Sequence, residues 1–176
     1  MNWESSQTFQ NLKTAFAAEA MASMRYHYYA TTARREKMVH LCELFSACEK
    51  YELEHAKMWY KRFHDGGDTT AANLSAAVAF EGESQQELYA RFARQAREEG
   101  YEDLAVKFEQ AADIAAENRG RFEKWLARVT SDRVFVREEP VRWQCSNCGN
   151  TIHGKSAPET CPVCEHGRAY YRVIHD

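Results

Sequence analysis

The sequence predicts a mainly α-helical protein, in which a four-helix bundle is followed by a small metal-binding module with short β-strands. Two observations predict this fold. The chain has 176 residues and three prolines, all at or beyond Pro140, so the residues before that point can run as uninterrupted helix. The segment after Pro140 contains two Cys-x-x-Cys pairs in a short stretch with too little apolar core to fold without a metal.

Three breaks divide the first part of the chain into four helical segments, each of about 25 to 30 residues. The breaks lie at Arg35–Met38, at Asp65–Thr70 and at Gly100. Gly100 is a natural stop for the third helix, and the run Asp68-Thr69-Thr70 can cap its start. We predict three parts: the bundle in residues 1–133, an extended linker in 134–141, and the cysteine module in 142–176.

Each predicted helix has an inward-facing stripe when its residues are read at alternating steps of three and four. The stripes are apolar at both ends and small or polar in the middle. Because the polar positions fall at similar depths, an antiparallel bundle would bring them into one layer. That layer would contain Glu19, Glu52, His55 and Glu81, with Ser84 and Asn118 nearby.

Three carboxylates cannot share a dry core unless they are protonated or neutralised by a cation. A divalent metal is the simplest such cation, and it would make this layer a metal site. The alternative is a hydrated bundle centre, with the acidic side chains facing a pocket of water.

The cysteine pairs Cys145/Cys148 and Cys161/Cys164 have the spacing that lets one turn of backbone wrap around a metal ion. Together they supply four thiolates, a tetrahedral ligand set that suits either zinc or a single iron. Two disulfides in a small module are the remaining interpretation, which the absence of other secretory features disfavours.

The sequence around the cysteines, Trp143–Gly149 and Gly154–Cys164, resembles the metal-binding knuckles of a rubredoxin domain. The resemblance covers about Val136–Ile174 and implies one iron per chain held by four thiolates, with a zinc ribbon as the alternative. Asn150 departs from the pattern, since the family usually has an aromatic residue after the glycine. We expect this change to weaken packing near the first knuckle.

The whole chain resembles the rubrerythrins, which join a ferritin-like di-iron bundle to a C-terminal rubredoxin domain. The motifs that carry the resemblance are Ala15–Glu19 with Arg25–Ala30, Glu52–Lys57, Asn73–Glu81, and Glu87–Gly100. In ferritin-like bundles two helices each give one Glu, and two give Glu-x-x-His. The resemblance implies hydrogen peroxide reduction at a carboxylate-bridged metal site, with Glu52 as the bridging carboxylate and Tyr26 orienting a ligand.

Three positions depart from the family's ligand set. Ser84 stands where the third helix has a second Glu, and Ala115 and Asn118 stand where the fourth helix has Glu and His. Glu117 could replace the missing carboxylate only if the helix were locally over- or underwound, for instance by a π-bulge. We therefore expect one metal position, served by Glu19, Glu52, His55 and Glu81, and a second position left mostly to water.

The expected cofactors are thus a rubredoxin-type iron and one or two non-haem irons in the bundle, with zinc able to replace iron in either place. An alternative function follows from the missing ligands. The protein would then be an electron-transfer or metal-binding protein, whose bundle holds one metal or none and serves as a dimer scaffold.

Composition limits the partners. A net charge of −3 and a pI near 6.2 give no electrostatic reason to expect nucleic acid. The first residues lack the basic and apolar regions of a signal peptide, and no apolar run approaches membrane-spanning length. We expect a soluble cytoplasmic protein that receives electrons from a redox donor protein. Cys42 and Cys48 are most simply buried small residues.

The connection between the second and third helices predicts a homodimer. A ferritin-like bundle requires this connection to run back along the bundle, and the few residues available are too short for that. Either the single chain adopts a simple up-down-up-down topology, or two chains complete the ferritin-like arrangement by exchange. We favour exchange, with helices one and two of one chain paired with helices three and four of the other, because the ligand resemblance implies the ferritin-like arrangement.

Overall fold

The computed structural model describes residues 2–63 and 69–174, without the side chains of Glu83 and Ser84. Five α-helices and one π-helical segment precede a small sheet. Their bounds are α1 Gln7–Arg35, α2 Val39–Phe63, α3 Thr70–Ala79, the π-helical segment Phe80–Gln86, α4 Glu87–Glu98 and α5 Glu102–Thr130. The chain divides into two compact units, residues 1–65 and 66–176. No described helix is both long and apolar enough to cross a membrane.

The first unit is an antiparallel hairpin of α1 and α2. Ser6 caps α1 by accepting a hydrogen bond from the Phe9 amide, and Lys37, with a φ of 61°, turns the chain into α2. Near the turn, the buried residues Ala30, Ala33 and Cys42 are small enough to let the helices approach closely. At the open end the aromatic rings of Phe9, Phe16 and Phe63 pack together, with centroids 5.6 and 6.3 Å apart.

The predicted third helix consists of α3, the π-helical segment and α4 in succession. Thr69 caps its start by accepting a hydrogen bond from the Ala72 amide, as the threonine run predicted. Gly100, with a φ of +85°, closes its end, and the Tyr101 amide bonds back to the Ala96 carbonyl at 2.8 Å. Of the predicted break at Asp65–Thr70, residues 65–68 lie outside the described residues.

The π-helical turns of Phe80–Gln86 are the main departure from the predicted secondary structure. In α5, where a π-bulge would be needed to turn Glu117 inward, the structure is α-helical from Glu102 to Thr130. A π-helix fits more residues into a turn without breaking the helix, so the single glycine of this segment, Gly82, marks no break in the sequence. The third and fourth helices pack through Ala93, Ala96, Ala105 and Ala115, all of them buried.

The module after α5 is a three-stranded antiparallel sheet with strand order β2-β1-β3. The strands are β1 Val136–Cys145, β2 Thr151–Ser156 and β3 Tyr171–Ile174, with a short 3-10 helix at Arg168–Tyr170. Strand β1 begins inside the segment predicted as an extended linker. The core contains Trp143, Cys145, Ala157, Cys161 and Tyr171. Four helices followed by a small cysteine-bearing sheet confirm the predicted fold class.

Candidate metal centres

The four cysteines of the sheet module meet in one cluster. Cys145 ends β1, and Gly149, with a φ of +78°, allows the turn that returns the chain to β2. The pair Cys161/Cys164 lies on the loop between β2 and β3. Cys145 and Cys161 are fully buried, whereas Cys148 is exposed. The module therefore holds one edge of the cluster near solvent, where electrons can enter.

The spacing of the sulfur atoms fits a tetrahedral metal. All four Sγ atoms lie within 4.8 Å of one another, and the pairs Cys145/Cys164 and Cys148/Cys161 are separated by 3.7 and 3.6 Å. A metal–sulfur distance of about 2.3 Å places tetrahedral sulfur atoms about 3.8 Å apart. The cluster thus has the dimensions of a tetrathiolate iron or zinc site.

Backbone amides point at these sulfur atoms. The N–H groups of Val163 and Cys164 donate to Cys161, and the N–H of His166 donates to Cys164. A hydrogen bond from Tyr171 is the main cause that lowers the pKa of Cys161, to about 6. These donors stabilise thiolates, the form that binds metal.

Cys148 behaves in the opposite way. The N–H of Asn150 acts to lower the pKa of Cys148, but the neighbouring thiols of Cys164, Cys161 and Cys145, together with burial, raise it to about 12. Binding of a metal by Cys148 therefore requires that its thiol lose a proton.

Three of the predicted bundle ligands come together in the hairpin of α1 and α2. Glu19, Glu52 and His55 have ligand atoms within 4.8 Å of one another. His55 Nδ1 lies 3.0 Å from Glu52 Oε2 and 3.9 Å from Glu19 Oε2. Glu52 and His55 are three residues apart and so share one face of α2. Two carboxylates and an imidazole are a donor set that suits non-haem iron.

The two carboxylates are held in contact. A hydrogen bond with Glu52 is the main cause that raises the pKa of Glu19, and the same hydrogen bond, followed by one with His55, lowers the pKa of Glu52. Two carboxylates this close are stable only if they share a proton or bind a cation. Beside Glu19, the buried indole Nε1 of Trp59 faces the carboxylate and acts to lower the pKa of Glu19. A close carboxylate pair is the arrangement that a bound cation would neutralise.

The second unit carries Glu81 in the π-helical segment and Asn118 on α5. Asn118 Nδ2 donates to Glu81 Oε1 at 3.4 Å, so a neutral amide engages this carboxylate. Ala115, which is 3% exposed, offers no ligand. Next to Glu81, the side chain of Arg119 lies across Gly82, where a Cβ atom would be only 2.9 Å from Arg119 Nη1. Glu81, a predicted bundle ligand, is therefore hydrogen-bonded to the amide side chain of Asn118.

The remaining predicted site residues lie elsewhere. Glu117 is exposed on α5, and the condition for its recruitment, a π-bulge in that helix, is not met. Tyr26 is half-buried and stacks on Phe45, with ring centroids 6.4 Å apart. Its role in orienting a ligand stays a prediction. The Ser84 side chain lies outside the described part of the structure.

Sequence reasoning did not assign roles to Trp59, Arg119 or Tyr171. Trp59 lies four residues after His55, and this spacing was the signal that could have linked it to the ligands. Arg119 meets Gly82 of another helical segment, and Tyr171 meets the cysteines of the loop and strand next to it, so no local pattern reveals these contacts.

The helices carry a carboxylate–histidine group, and a tetrathiolate module follows them. This combination defines a non-haem iron protein of the di-iron bundle and rubredoxin type. The chain belongs to the rubrerythrin family. The model described as Rubrerythrin matches residues 10–78 and 72–145, and the model described as Rubrerythrin, rubredoxin-like domain matches residues 143–172. Membership makes the protein an oxidoreductase in kind, with iron as the metal of both centres.

Curated relatives match along nearly their whole length. Rubrerythrin of Nitratidesulfovibrio vulgaris is 37% identical over 96% of this chain and 95% of its own. Rubrerythrin of Porphyromonas gingivalis is 38% identical over 96% of this chain and 90% of its own. A solved structure titled as a mixed-valence state of nigerythrin aligns with 96% of this chain and 87% of its own, at 23% identity and a TM-score of 0.36.

Proposed function

We propose that this protein reduces hydrogen peroxide at the bundle site, with electrons that arrive through the tetrathiolate iron. The observation that carries the proposal is the grouping of Glu19, Glu52 and His55 in a chain that also holds a tetrathiolate cluster. Reduction of one hydrogen peroxide to two waters consumes two electrons and two protons. A redox donor protein would supply the electrons one at a time.

Iron at the bundle site would supply reversible one-electron chemistry. The protein residues would hold it and manage charge. Glu52, in contact with both Glu19 and His55, is placed to act as the bridging carboxylate. The hydrogen bond with Glu52 raises the pKa of Glu19, which supports a role for this carboxyl group in holding a proton at the site.

A substitution at Glu52 tests the proposal, with Glu54 as a matched control. Glu54 lies on the same helix, and it pairs with Lys57 at 2.9 Å instead of facing the cluster. We expect Glu52→Gln to lower peroxide turnover at least about tenfold, because a lost ligand weakens metal binding and removes the bridge. Glu54→Gln should retain both turnover and bundle iron.

The measurement is peroxide-dependent oxidation of the reduced protein in a stopped-flow spectrometer, together with iron content per chain. Absorbance of the tetrathiolate iron should be equal in both variants, which shows that electron entry is intact. Equal turnover in Glu52→Gln and in the unchanged protein would rule out this site as the place of peroxide reduction.

A second candidate function is electron transfer or metal storage without peroxide turnover, in which the bundle holds one metal or none. The hydrogen bond from Asn118 to Glu81 favours it, because that carboxylate already has a partner in the absence of metal. Oxidation of bundle iron by peroxide distinguishes the two functions. Bundle iron that peroxide oxidises would support the peroxidase, and a bundle without iron, or with iron that peroxide does not oxidise, would support the carrier.

The exchanged dimer remains our proposal for assembly. Helix α2 has 25 residues and is about 37 Å long, whereas the six residues between Phe63 and Thr70 span at most about 25 Å. Helices α1 and α2 also expose large apolar side chains, a composition typical of an interface. They include Met21, Met24, Tyr28, Leu44, Tyr51, Leu53 and Met58.

We expect sedimentation velocity to show a dimer at micromolar concentration, in which Glu19, Glu52 and His55 of one chain are completed by Glu81 of its partner. A compact monomer at that concentration would contradict the exchange.

The thiolate ligands need a reducing environment, which supports our proposal of a cytoplasmic location.

A further inference from the structure

Tyr171 lies beside the tetrathiolate cluster, although it is not one of the metal ligands. It begins β3, and the strand register places it directly opposite Cys145. Its side chain is 5% exposed and packs in the same core as Cys145 and Cys161. The only polar atom of this side chain is therefore enclosed with the sulfur atoms, away from water.

The hydroxyl group of Tyr171 has defined partners. Its oxygen accepts a hydrogen bond from Asn150 Nδ2, with a donor–acceptor distance of 3.5 Å. Because the oxygen is the acceptor in that contact, the hydroxyl proton is free to be donated elsewhere. The Cys161 sulfur lies in the same buried core, and the hydroxyl acts to lower the pKa of that thiol, which marks this sulfur as the available acceptor.

This contact gives Asn150 a function. The rubredoxin resemblance led us to expect an aromatic residue at this position and weaker packing without it. The structure instead holds Asn150 firmly, because its carbonyl accepts a hydrogen bond from the Cys145 amide at 2.9 Å. The amide side chain then orients the hydroxyl of Tyr171 toward the cluster.

A hydrogen bond to a thiolate ligand favours the more negative state of an iron centre. One-electron reduction takes an iron tetrathiolate from a net charge of −1 to −2, with no bond made or broken and no proton taken up. The O–H···S bond therefore strengthens on reduction and raises the reduction potential. In a buried site the effect is larger than it would be in water.

We propose that Tyr171, oriented by Asn150, is a positioning residue that raises the reduction potential of the iron bound by Cys145, Cys148, Cys161 and Cys164. The inference deepens the electron-delivery step of the proposed function. It does not require peroxide turnover, because the potential belongs to the tetrathiolate centre itself.

The test is the midpoint potential of this centre in the full-length iron-loaded protein, measured by optical titration of its visible absorbance. Tyr171→Phe removes only the hydroxyl group. We expect the reduction equilibrium constant to fall about fivefold, which is about 40 mV at 59 mV per tenfold for one electron. Asn150→Ala should shift the potential in the same direction by a smaller amount, because the hydroxyl then loses its orienting partner.

Tyr170→Phe is the matched control, since it makes the same chemical change in an adjacent side chain that is 46% exposed. Its potential should equal that of the unchanged protein. In resonance Raman spectra, the deuterium shift of the iron–sulfur bands should shrink in Tyr171→Phe alone. An unchanged or higher potential in Tyr171→Phe, or an equal shift in Tyr170→Phe, would overturn the proposal. A peroxide-inactive protein that still shows the shift would separate this inference from the proposed function.

Discussion

A Cys148→Ser protein is expected to lose its iron and its red colour, and with them the ordered structure of residues 136–174. Cys148 Sγ lies 3.6 Å from Cys161 Sγ, and removing one thiolate leaves three ligands around the metal. Structural metal sites of this kind contribute about 10–16 kcal/mol to the folding of small modules. Among the described residues of the module, the buried side chains besides two of the cysteines are Trp143, Ala157 and Tyr171, too few to replace that contribution.

Visible absorbance reports the colour, and amide hydrogen exchange reports order in the sheet. Cys48→Ser is the control, because Cys48 lies on α2, outside the cluster. It should retain both the colour and the protected amides. A Cys148→Ser protein that kept a strongly coloured, exchange-protected module would show that this thiolate is dispensable.

Restoring the two family ligands on α5 is expected to create a second bundle metal position. The change is Ala115→Glu together with Asn118→His, which supplies a carboxylate and an imidazole and releases Glu81 from its amide partner. Metal content of the bundle should rise from about one to about two per chain, and peroxide turnover should rise with it. Metal analysis and stopped-flow turnover measure both effects.

The single variant Ala115→Glu provides the comparison. Ala115 is 3% exposed, so a carboxylate there is costly unless a cation neutralises it. We expect the metal-free double variant to melt at a lower temperature than the unchanged protein and to recover when ferrous iron is added. Two fully occupied bundle metals in the unchanged protein would show that the second position does not need the missing ligands.

The fold was predictable because its signals are local. The absence of proline before Pro140 and the stops at Lys37 and Gly100 define the helices, and both stops have positive φ in the structure. The cysteine cluster was predictable for the same reason, since two short spacings specify four ligands. Predicting that Glu19 groups with Glu52 and His55 required a further assumption. The inward stripes of two helices had to place these residues at the same depth in the bundle.

What the sequence could not provide depends on contacts between distant residues. Tyr171 lies opposite Cys145 because β3 pairs with β1, and from the local sequence it is an apolar strand position. The π-helical geometry of Phe80–Gln86 leaves the helix unbroken and therefore carries no break signal. The sequence predicts only that Arg119 is a charged residue on the surface of a helix. The structure shows in addition that its side chain crosses Gly82.

The origin of the three hairpin ligands also bears on how this protein can change over evolutionary time. Glu19, Glu52 and His55 all come from one contiguous stretch that ends with α2. Mutations in the later helices can remove ligands one by one without disturbing this group. Metal binding in such a bundle can therefore decline in steps, and each intermediate sequence can still encode a folded iron protein on which selection acts.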